Sequence, residues 1–207
     1  MTNVRHLPRP TTTFRYQQDA SGNIKSVKTL NLDSARFFRT SPSNKLDYTL
    51  VAVAPAPGGK APGDVYGFVP LIGGTGKILK GEPINIVQHP QGRPKEIAFR
   101  NNLMLRIDDE EKVTYQTDTD SGSSGSPVFN DQWEMVALHH TGVEASNATG
   151  VKIDRLGHTV IASTPENLRV WVANEGIRVS ALVRDIQAGS YRGARRQLVD
   201  EVLGPTR

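Results

Sequence analysis

The sequence predicts an all-β fold that ends in helices, and three observations lead to this prediction. Glycine (19 residues) and proline (13 residues) separate short apolar runs along most of the 207-residue chain, which is typical of proteins built from many short strands. Residues 130–132, Asn-Asp-Gln, have the composition of a β-hairpin turn between two such runs. After Pro165 the apolar residues recur with the spacing of helices instead.

The predicted strands follow one another without an internal repeat. Each is apolar or alternates apolar and polar residues, and turns with Gly, Pro or Asn separate them. In chain order they are 48–53, 84–89, 96–107 with a polar break at 101–102, 112–117, 127–129, 133–139 and 158–163. The stretch from Ala54 to Gly63, rich in Gly and Pro, is the candidate linker.

Two amphipathic helices are predicted near the C-terminus. Their apolar residues are spaced at i, i+3, i+4 and i+7 or lie on one face, and we expect Asn174 to cap the first helix. The apolar residues are Val179, Leu182, Val183 and Ile186 in the first helix, which spans about 177–188, and Leu198, Val199, Val202 and Leu203 in the second.

Composition excludes several classes of protein. The chain has no cysteine, which excludes a disulfide framework, a thiolate metal site and a cysteine nucleophile. No apolar run approaches the roughly 20 residues that cross a bilayer, and the first residues lack the apolar core of a secretory signal. We therefore expect a cytoplasmic protein with no membrane contact. The net charge of +4 is spread along the chain and aromatic residues make up 6%, so nucleic acid is not an expected partner.

The segment that carries the clearest chemistry is residues 117–130, which read TDTDSGSSGSPVFN. A Gly/Ser composition alone is typical of flexible linkers, but this one lies between an alternating strand and a hairpin. Small residues let the backbone turn sharply, present one hydroxyl group and aim N–H groups at one point. Such N–H groups can stabilise an oxyanion as it forms.

This segment resembles the Gly-x-Ser-Gly-x-Pro loop of chymotrypsin-fold serine proteases, which are hydrolases. It is most similar to the bacterial trypsin-like and glutamyl-endopeptidase branch, which typically has GSSGSPVFN followed by a strand that ends in His. The resemblance implies that Ser124 is the nucleophile and that the N–H groups of Gly122 and Ser124 form the oxyanion hole. Gly125 and Pro127 complete the loop.

The resemblance covers residues 1–185 and is strongest over 46–53, 84–92 and 115–142. It implies two antiparallel β-barrels of six strands each, chymotrypsin-like, with the predicted helices at the C-terminal end. It also implies a polypeptide substrate and no metal or cofactor. A further domain or a regulatory protein is an additional partner that we expect for this chain.

The resemblance also implies the other members of a catalytic triad. Asp47, in LDYTLVAV, matches the family's Asp-x-x-Leu-x-x-Val strand and would orient the base. The family's histidine lies in an element similar to the first eight residues, MTNVRHLP. A gap-free alignment puts Arg5 at its position and His6 one residue away, on the opposite face of an extended backbone. Arginine cannot accept a proton, so His6 is the candidate base.

The first barrel is predicted to be incomplete. The family has about three strands, roughly 25–30 residues, before its histidine, whereas five residues precede His6 here. A barrel without those strands has unpaired edges. We divide the chain into 1–64, a partial N-terminal barrel with linker, 65–165, a C-terminal barrel with the nucleophile loop, and 166–207, a helical tail.

Two functions therefore remain open. The chain is a serine endopeptidase, or it is a catalytically degenerate pseudoprotease that binds peptides or a partner in the same cleft. The strength of the Ser124 motif supports the first, and the displaced histidine supports the second.

The resemblance leaves substrate preference open as well. Thr119, five residues before Ser124, and His139 match the glutamyl branch, in which a hydroxyl and an imidazole bind an acidic P1 side chain. Asp118, six residues before Ser124, stands where trypsin-like enzymes carry the acid that pairs with Arg or Lys. We favour an acidic P1 residue. His140 is expected to form a wall of the substrate cleft.

Overall fold

The structure is a computed structural model that describes residues 10–108 and 110–204, and in them it contains two antiparallel sheets and three α-helices. The first sheet has the order β1-β2-β3. Its strands are β1 (Thr11–Phe14), β2 (Lys28–Ser41) and β3 (Tyr48–Val53). The predicted all-β fold with C-terminal helices is confirmed.

The second sheet is a barrel. Its strands are β4 (Asn85–Gln88), β5 (Glu96–Ala98), β6 (Leu103–Ile107), β7 (Lys112–Gln116), β8 (Pro127–Phe129), β9 (Met135–Glu144) and β10 (Trp171–Arg178). Their order is β5-β4-β8-β9-β10-β7-β6. Pro83 and Leu103 form a bridge, and the N–H of Met104 donates to the carbonyl of Glu82 at 2.9 Å. These contacts join β6 to the chain just before β4, so that six strands close and β5 remains at the edge.

The first sheet is half a barrel, with three strands in the part of the chain that the structure describes. Strand β2 is 14 residues long, and its pairing with β3 shifts register between Asp33 and Phe38. Such a shift bends a strand, so β2 pairs with β1 near its start and with β3 near its end. This arrangement agrees with the incomplete first barrel that the sequence predicts.

Strands β4 to β9 follow the predicted segments, and the 48–53 strand matches β3 residue for residue, whereas β10 was not predicted as a strand. The predicted strand at 158–163 is wrong, because within it only Thr159 forms an isolated bridge. The Asp154 carboxylate accepts hydrogen bonds from the N–H groups of Leu156 (2.9 Å) and His158 (2.8 Å). An Asp side chain that binds nearby N–H groups in this way stabilises a turn rather than a strand.

The division of the chain at residue 165 stays a prediction, but the segment after it does not begin as an α-helix. A short 3-10 helix (Glu166–Leu168) is followed by β10, which lies between β7 and β9. Asn174 therefore lies in a strand, and the helix-cap prediction for it is wrong. The helices are α1 (Pro62–Tyr66), α2 (Val179–Gln187) and α3 (Ala194–Leu203), and Arg178 occupies the position before α2.

Helices α2 and α3 pack against the first sheet. Buried residues of both helices form one apolar cluster with buried residues of the sheet and of β10: Phe37, Leu46, Tyr48, Ile177, Ala181, Leu182, Ile186 and Val199. A separate cluster fills the closed barrel. Among the described residues, none of the three α-helices is long and apolar enough to cross a membrane.

A polar contact reinforces this packing. The Asp185 carboxylate on α2 accepts hydrogen bonds from the Arg39 Nε (2.9 Å) and from the Tyr48 hydroxyl (2.5 Å). Burial raises the pKa of Tyr48, so its hydroxyl stays protonated and donates. The three side chains join the end of β2, the start of β3 and helix α2.

We expect Asp185→Ala to lower the free energy of unfolding by about 2–3 kcal/mol, because it leaves the partly buried Arg39 and Tyr48 without their acceptor. Urea denaturation measures this change. The matched control is Asp200→Ala on α3, which removes an exposed pair with Arg196 and should leave stability nearly unchanged. Equal losses in the two variants would contradict the role given to Asp185.

Candidate active site

The Gly/Ser-rich loop is held on strand β9 by backbone hydrogen bonds. The N–H of Gly125 donates to the His139 carbonyl at 2.8 Å, and the N–H of His139 donates to the Ser126 carbonyl at 2.9 Å. Ser123 is buried at 1% exposure, whereas Ser124 is exposed. The Ser124 hydroxyl donates to the His140 carbonyl at 3.1 Å. The loop therefore presents one hydroxyl group at a defined point beside β9.

The two predicted oxyanion donors are available. The N–H of Gln91 donates to the Ser121 carbonyl at 2.7 Å, and a trans peptide points the following N–H, that of Gly122, in the opposite direction. Gly122 has a φ of +90°, a conformation that glycine adopts without strain. Within the described residues the N–H groups of Gly122 and Ser124 donate to no acceptor. Both can therefore bind an oxyanion.

Asp47 lies directly before β3 and has a φ of +42°. Its carboxylate Oδ2 lies 3.2 Å from Nδ1 of His140. Nε2 of His140 lies 4.0 Å from a carboxylate oxygen of Glu175, which also binds the Lys112 ammonium at 2.9 Å. His140 thus contacts Ser124 through its carbonyl and Asp47 through its ring, and it joins the two sheets at the site.

Sequence reasoning put His140 on the wall of the substrate cleft, but its ring lies against Asp47 and Glu175 instead. The reason is the alternation of side chains along a strand, which turns neighbouring residues to opposite faces. His139 takes the cleft side of β9.

A cleft of about 970 Å³ opens beside Ser124. The residues that line it include Asp118, Thr119, Gly122, His139, Asn174 and Trp171. The Thr119 hydroxyl donates to the Asn174 side-chain oxygen at 2.6 Å, and the Asn174 amide donates to the Thr117 carbonyl at 2.9 Å. Asn174 therefore holds the wall that carries Thr119. Sequence reasoning missed this role, because it is visible only once β10 is known to pair with β7.

His139 lies at the buried side of this cleft, with 5% exposure. Its Nδ1 lies 2.7 Å from the hydroxyl of Tyr115, a fully buried residue of β7. Burial, followed by the nearby His140, lowers the pKa of His139 to about 4. His139 is therefore neutral at pH 7. Asp118 is exposed, and its carbonyl accepts a hydrogen bond from the Gln88 amide at 2.8 Å.

The structure brings most of the predicted site residues together. Gly122, Ser124, Thr119, His139 and Asp118 surround the cleft, and Asp47 reaches the same region through His140. The predicted base, His6, and the neighbouring Arg5 lie outside the described residues. Within residues 10–108 and 110–204, no three His, Asp or Glu side chains are grouped as a metal ion requires.

Comparison with known proteins gives the following matches. Residues 1–138 match the model of the family described as "Trypsin-like peptidase domain". "Uncharacterized protein y4fB" of Sinorhizobium fredii (strain NBRC 101917 / NGR234) is 34% identical over 215 residues, which are 94% of this chain and 32% of that protein. "Secreted RxLR effector protein 73" of Plasmopara viticola is 34% identical over 108 residues, which are 47% of this chain and 25% of that protein. The chain thus spans a third or less of these relatives.

One solved structure that resembles this chain is titled "Structure of Glu endopeptidase in complex with MPD". It has a TM-score of 0.46 and 17% sequence identity, and the match covers 84% of this chain and 77% of that chain.

The depressed pKa of His139 predicts how stability depends on pH. The unfolded chain takes up a proton on this histidine near pH 6.5, whereas the folded protein does so only near pH 4, so the unfolded state binds more protons between these values. Above about pH 6.5 the histidine is neutral in both states, and its contribution to stability is fully present. As the pH falls from 6.5 to 4, the free energy of unfolding decreases by at most roughly 3 kcal/mol because of this residue. Urea denaturation at pH 4.5 and 7 measures it.

The control for this experiment is His139→Gln, which cannot take up a proton. We expect the stability of that variant to fall less between pH 7 and 4.5 than the stability of the unmodified protein. Parallel losses in the two proteins would show that other groups cause the acid sensitivity.

Proposed function

The chain belongs to the trypsin-like peptidase domain family, and from this premise we propose that it is a serine endopeptidase with Ser124 as nucleophile. The observation that carries the proposal is the loop geometry. An exposed Ser124 hydroxyl and two N–H groups without an internal acceptor lie at the mouth of a cleft. Preorganised donors of this kind are the main source of stabilisation for a tetrahedral intermediate.

The proposed reaction proceeds in two halves. The Ser124 oxygen attacks the scissile carbonyl carbon as a base removes the hydroxyl proton, and the carbonyl oxygen becomes an anion held by the N–H groups of Gly122 and Ser124. The C–N bond then breaks as the base returns the proton to the leaving amine. Water, deprotonated in the same way, hydrolyses the acyl-enzyme and regenerates Ser124. We propose His6 as the base and Asp47 as the carboxylate that orients it.

We further propose that the enzyme cleaves after acidic residues. His139 is buried at the cleft and neutral at pH 7, so it can donate one ring N–H to a substrate carboxylate without bringing a buried charge of its own. Thr119 lines the same cleft, and its hydroxyl donates to Asn174. Asp118 supports the alternative, a basic P1 residue, but its side chain is exposed and lines a second depression as well.

A pseudoprotease is the second candidate function, and two observations favour it. A gap-free alignment puts Arg5 at the family's histidine position, and an arginine cannot act as a base. The Ser124 hydroxyl donates to the His140 carbonyl, whereas an activated serine donates to an imidazole nitrogen. In this function the cleft binds a peptide and does not cleave it.

Labelling with a fluorophosphonate separates the two functions, because the reagent reacts with an activated serine. We expect the folded protein to be labelled, Ser124→Ala to lose all labelling, and Ser163→Ala, a change at an exposed turn serine that does not line the cleft, to keep it. His6→Ala and Asp47→Ala should slow labelling by roughly 100-fold or more. Folded protein that resists the reagent would establish the pseudoprotease, and unchanged labelling of His6→Ala would exclude His6 as the base.

A panel of peptides that differ only at P1 tests the substrate preference. We expect kcat/KM for Glu to exceed that for Gln by about 10-fold or more, since a charged acceptor strengthens the hydrogen bond from His139. Arg at P1 should be a poor substrate. Preference for Arg would assign specificity to Asp118 instead, and His139→Gln should remove the preference for Glu over Gln.

A further inference from the structure

Tyr115 is a buried side chain that the proposed mechanism does not use. It belongs to β7, two strands away from His139 on β9, and the strand between them is β10. Its hydroxyl nevertheless lies 2.7 Å from Nδ1 of His139, and the two rings are 6.1 Å apart between centroids. The tyrosine therefore crosses beneath β10 to reach the histidine.

Gly176 makes this crossing possible. It lies on β10 directly opposite His139 on one side and Val113 on the other. A Cβ atom added to Gly176 would lie 3.0 Å from the Tyr115 ring and 3.1 Å from the Cβ of Ala137. The absence of a side chain at this position leaves room for the aromatic ring, which is then enclosed on all sides at 0% exposure.

The hydrogen bond between Tyr115 and His139 can form in two ways. Both groups are neutral at pH 7, because burial raises the pKa of the tyrosine and lowers that of the histidine. If Nδ1 carries the proton and donates, the tyrosine hydrogen needs another acceptor, and the described residues provide none inside the barrel. If the hydroxyl donates, the hydroxyl hydrogen and the Nδ1 lone pair both have a partner. A buried donor without an acceptor is costly, so the second arrangement is favoured.

We propose that Tyr115 is a positioning residue for substrate specificity, because its hydroxyl donates to Nδ1 of His139 and thereby keeps the proton of the ring on Nε2. The remaining nitrogen of His139 is then a permanent donor toward the cleft that the ring lines. A permanent donor binds an anionic oxygen and rejects a substrate group that can only donate. This inference rests on the proposed function for the acidic substrate, but the tautomer itself does not.

The first experiment reads the tautomer directly and needs no activity. Nitrogen-15 NMR of the histidine rings, with His139→Gln to assign the signal, distinguishes a ring that carries its proton on Nε2 from one that carries it on Nδ1. We expect the Nε2–H form in the unmodified protein at pH 7 and a mixture of forms in Tyr115→Phe. An Nδ1–H ring in the unmodified protein overturns the proposal.

The second experiment measures selectivity. In Tyr115→Phe we expect kcat/KM for a Glu substrate to fall about 10-fold while that for the matched Gln substrate changes little, so that the ratio falls. The control is Tyr191→Phe, which removes another buried hydroxyl far from the cleft, in the cluster beside α2 and α3, and should leave the ratio unchanged. A uniform loss for both substrates would indicate a structural role only and overturn the proposal.

The two failures are distinguishable. If the unmodified protein does not prefer Glu over Gln, the proposed acidic specificity is wrong, and the NMR measurement still decides the tautomer. If the unmodified protein prefers Glu and Tyr115→Phe retains both the preference and the Nε2–H tautomer, the proposed specificity holds and the role of Tyr115 is wrong.

Discussion

The site depends on one constraint, the register of the Gly/Ser-rich loop against strand β9. Gly125 and Ser126 exchange backbone hydrogen bonds with His139, and the Ser124 hydroxyl binds the next carbonyl, that of His140. These three bonds set the position of the serine relative to both histidines at once. A slip of one residue would exchange the faces of β9, so that His139 would leave the cleft and His140 would leave Asp47. A single strand therefore aligns Ser124, the cleft and the contact with Asp47.

The half-barrel needs support that the described strands do not provide alone, and the C-terminal helices supply it. Helix α2 follows β10 directly and covers the first sheet, and Asp185 on α2 binds Tyr48, the residue after Asp47. Two contacts thus fix the position of Asp47 relative to the second sheet. Its neighbour Tyr48 binds Asp185 on α2, and Asp47 itself contacts the His140 ring. Because the N-terminal half of the site depends on both, packing far from the cleft contributes to its geometry.

Much of the molecule could be predicted from local patterns. The β3 segment is apolar and β-branched, β7 alternates, and the Gly-x-Ser-Gly-x-Pro loop needs small residues whatever surrounds it. Strands β1 and β2 were not predicted, since their residues are largely exposed or half-buried and show little apolar alternation. The residue type of Asn174 predicts a helix cap, but pairing with β7 places this residue in a strand instead. Tyr115 lies in an alternating strand, and the local sequence does not distinguish it from a core residue without a polar contact.

The fold class, the Gly/Ser-rich loop and the family could be predicted without a structure, because each depends on residue types at short spacing. Tertiary structure alone decided which histidine lines the cleft and which contacts Asp47, since adjacent residues of a strand face opposite sides and only the pairing of β9 says which side is which. It also decided that Tyr115, 24 residues before His139, hydrogen-bonds to that histidine beneath β10. That contact depends on the order β9-β10-β7 and on the open space at Gly176, and neither can be read from local sequence.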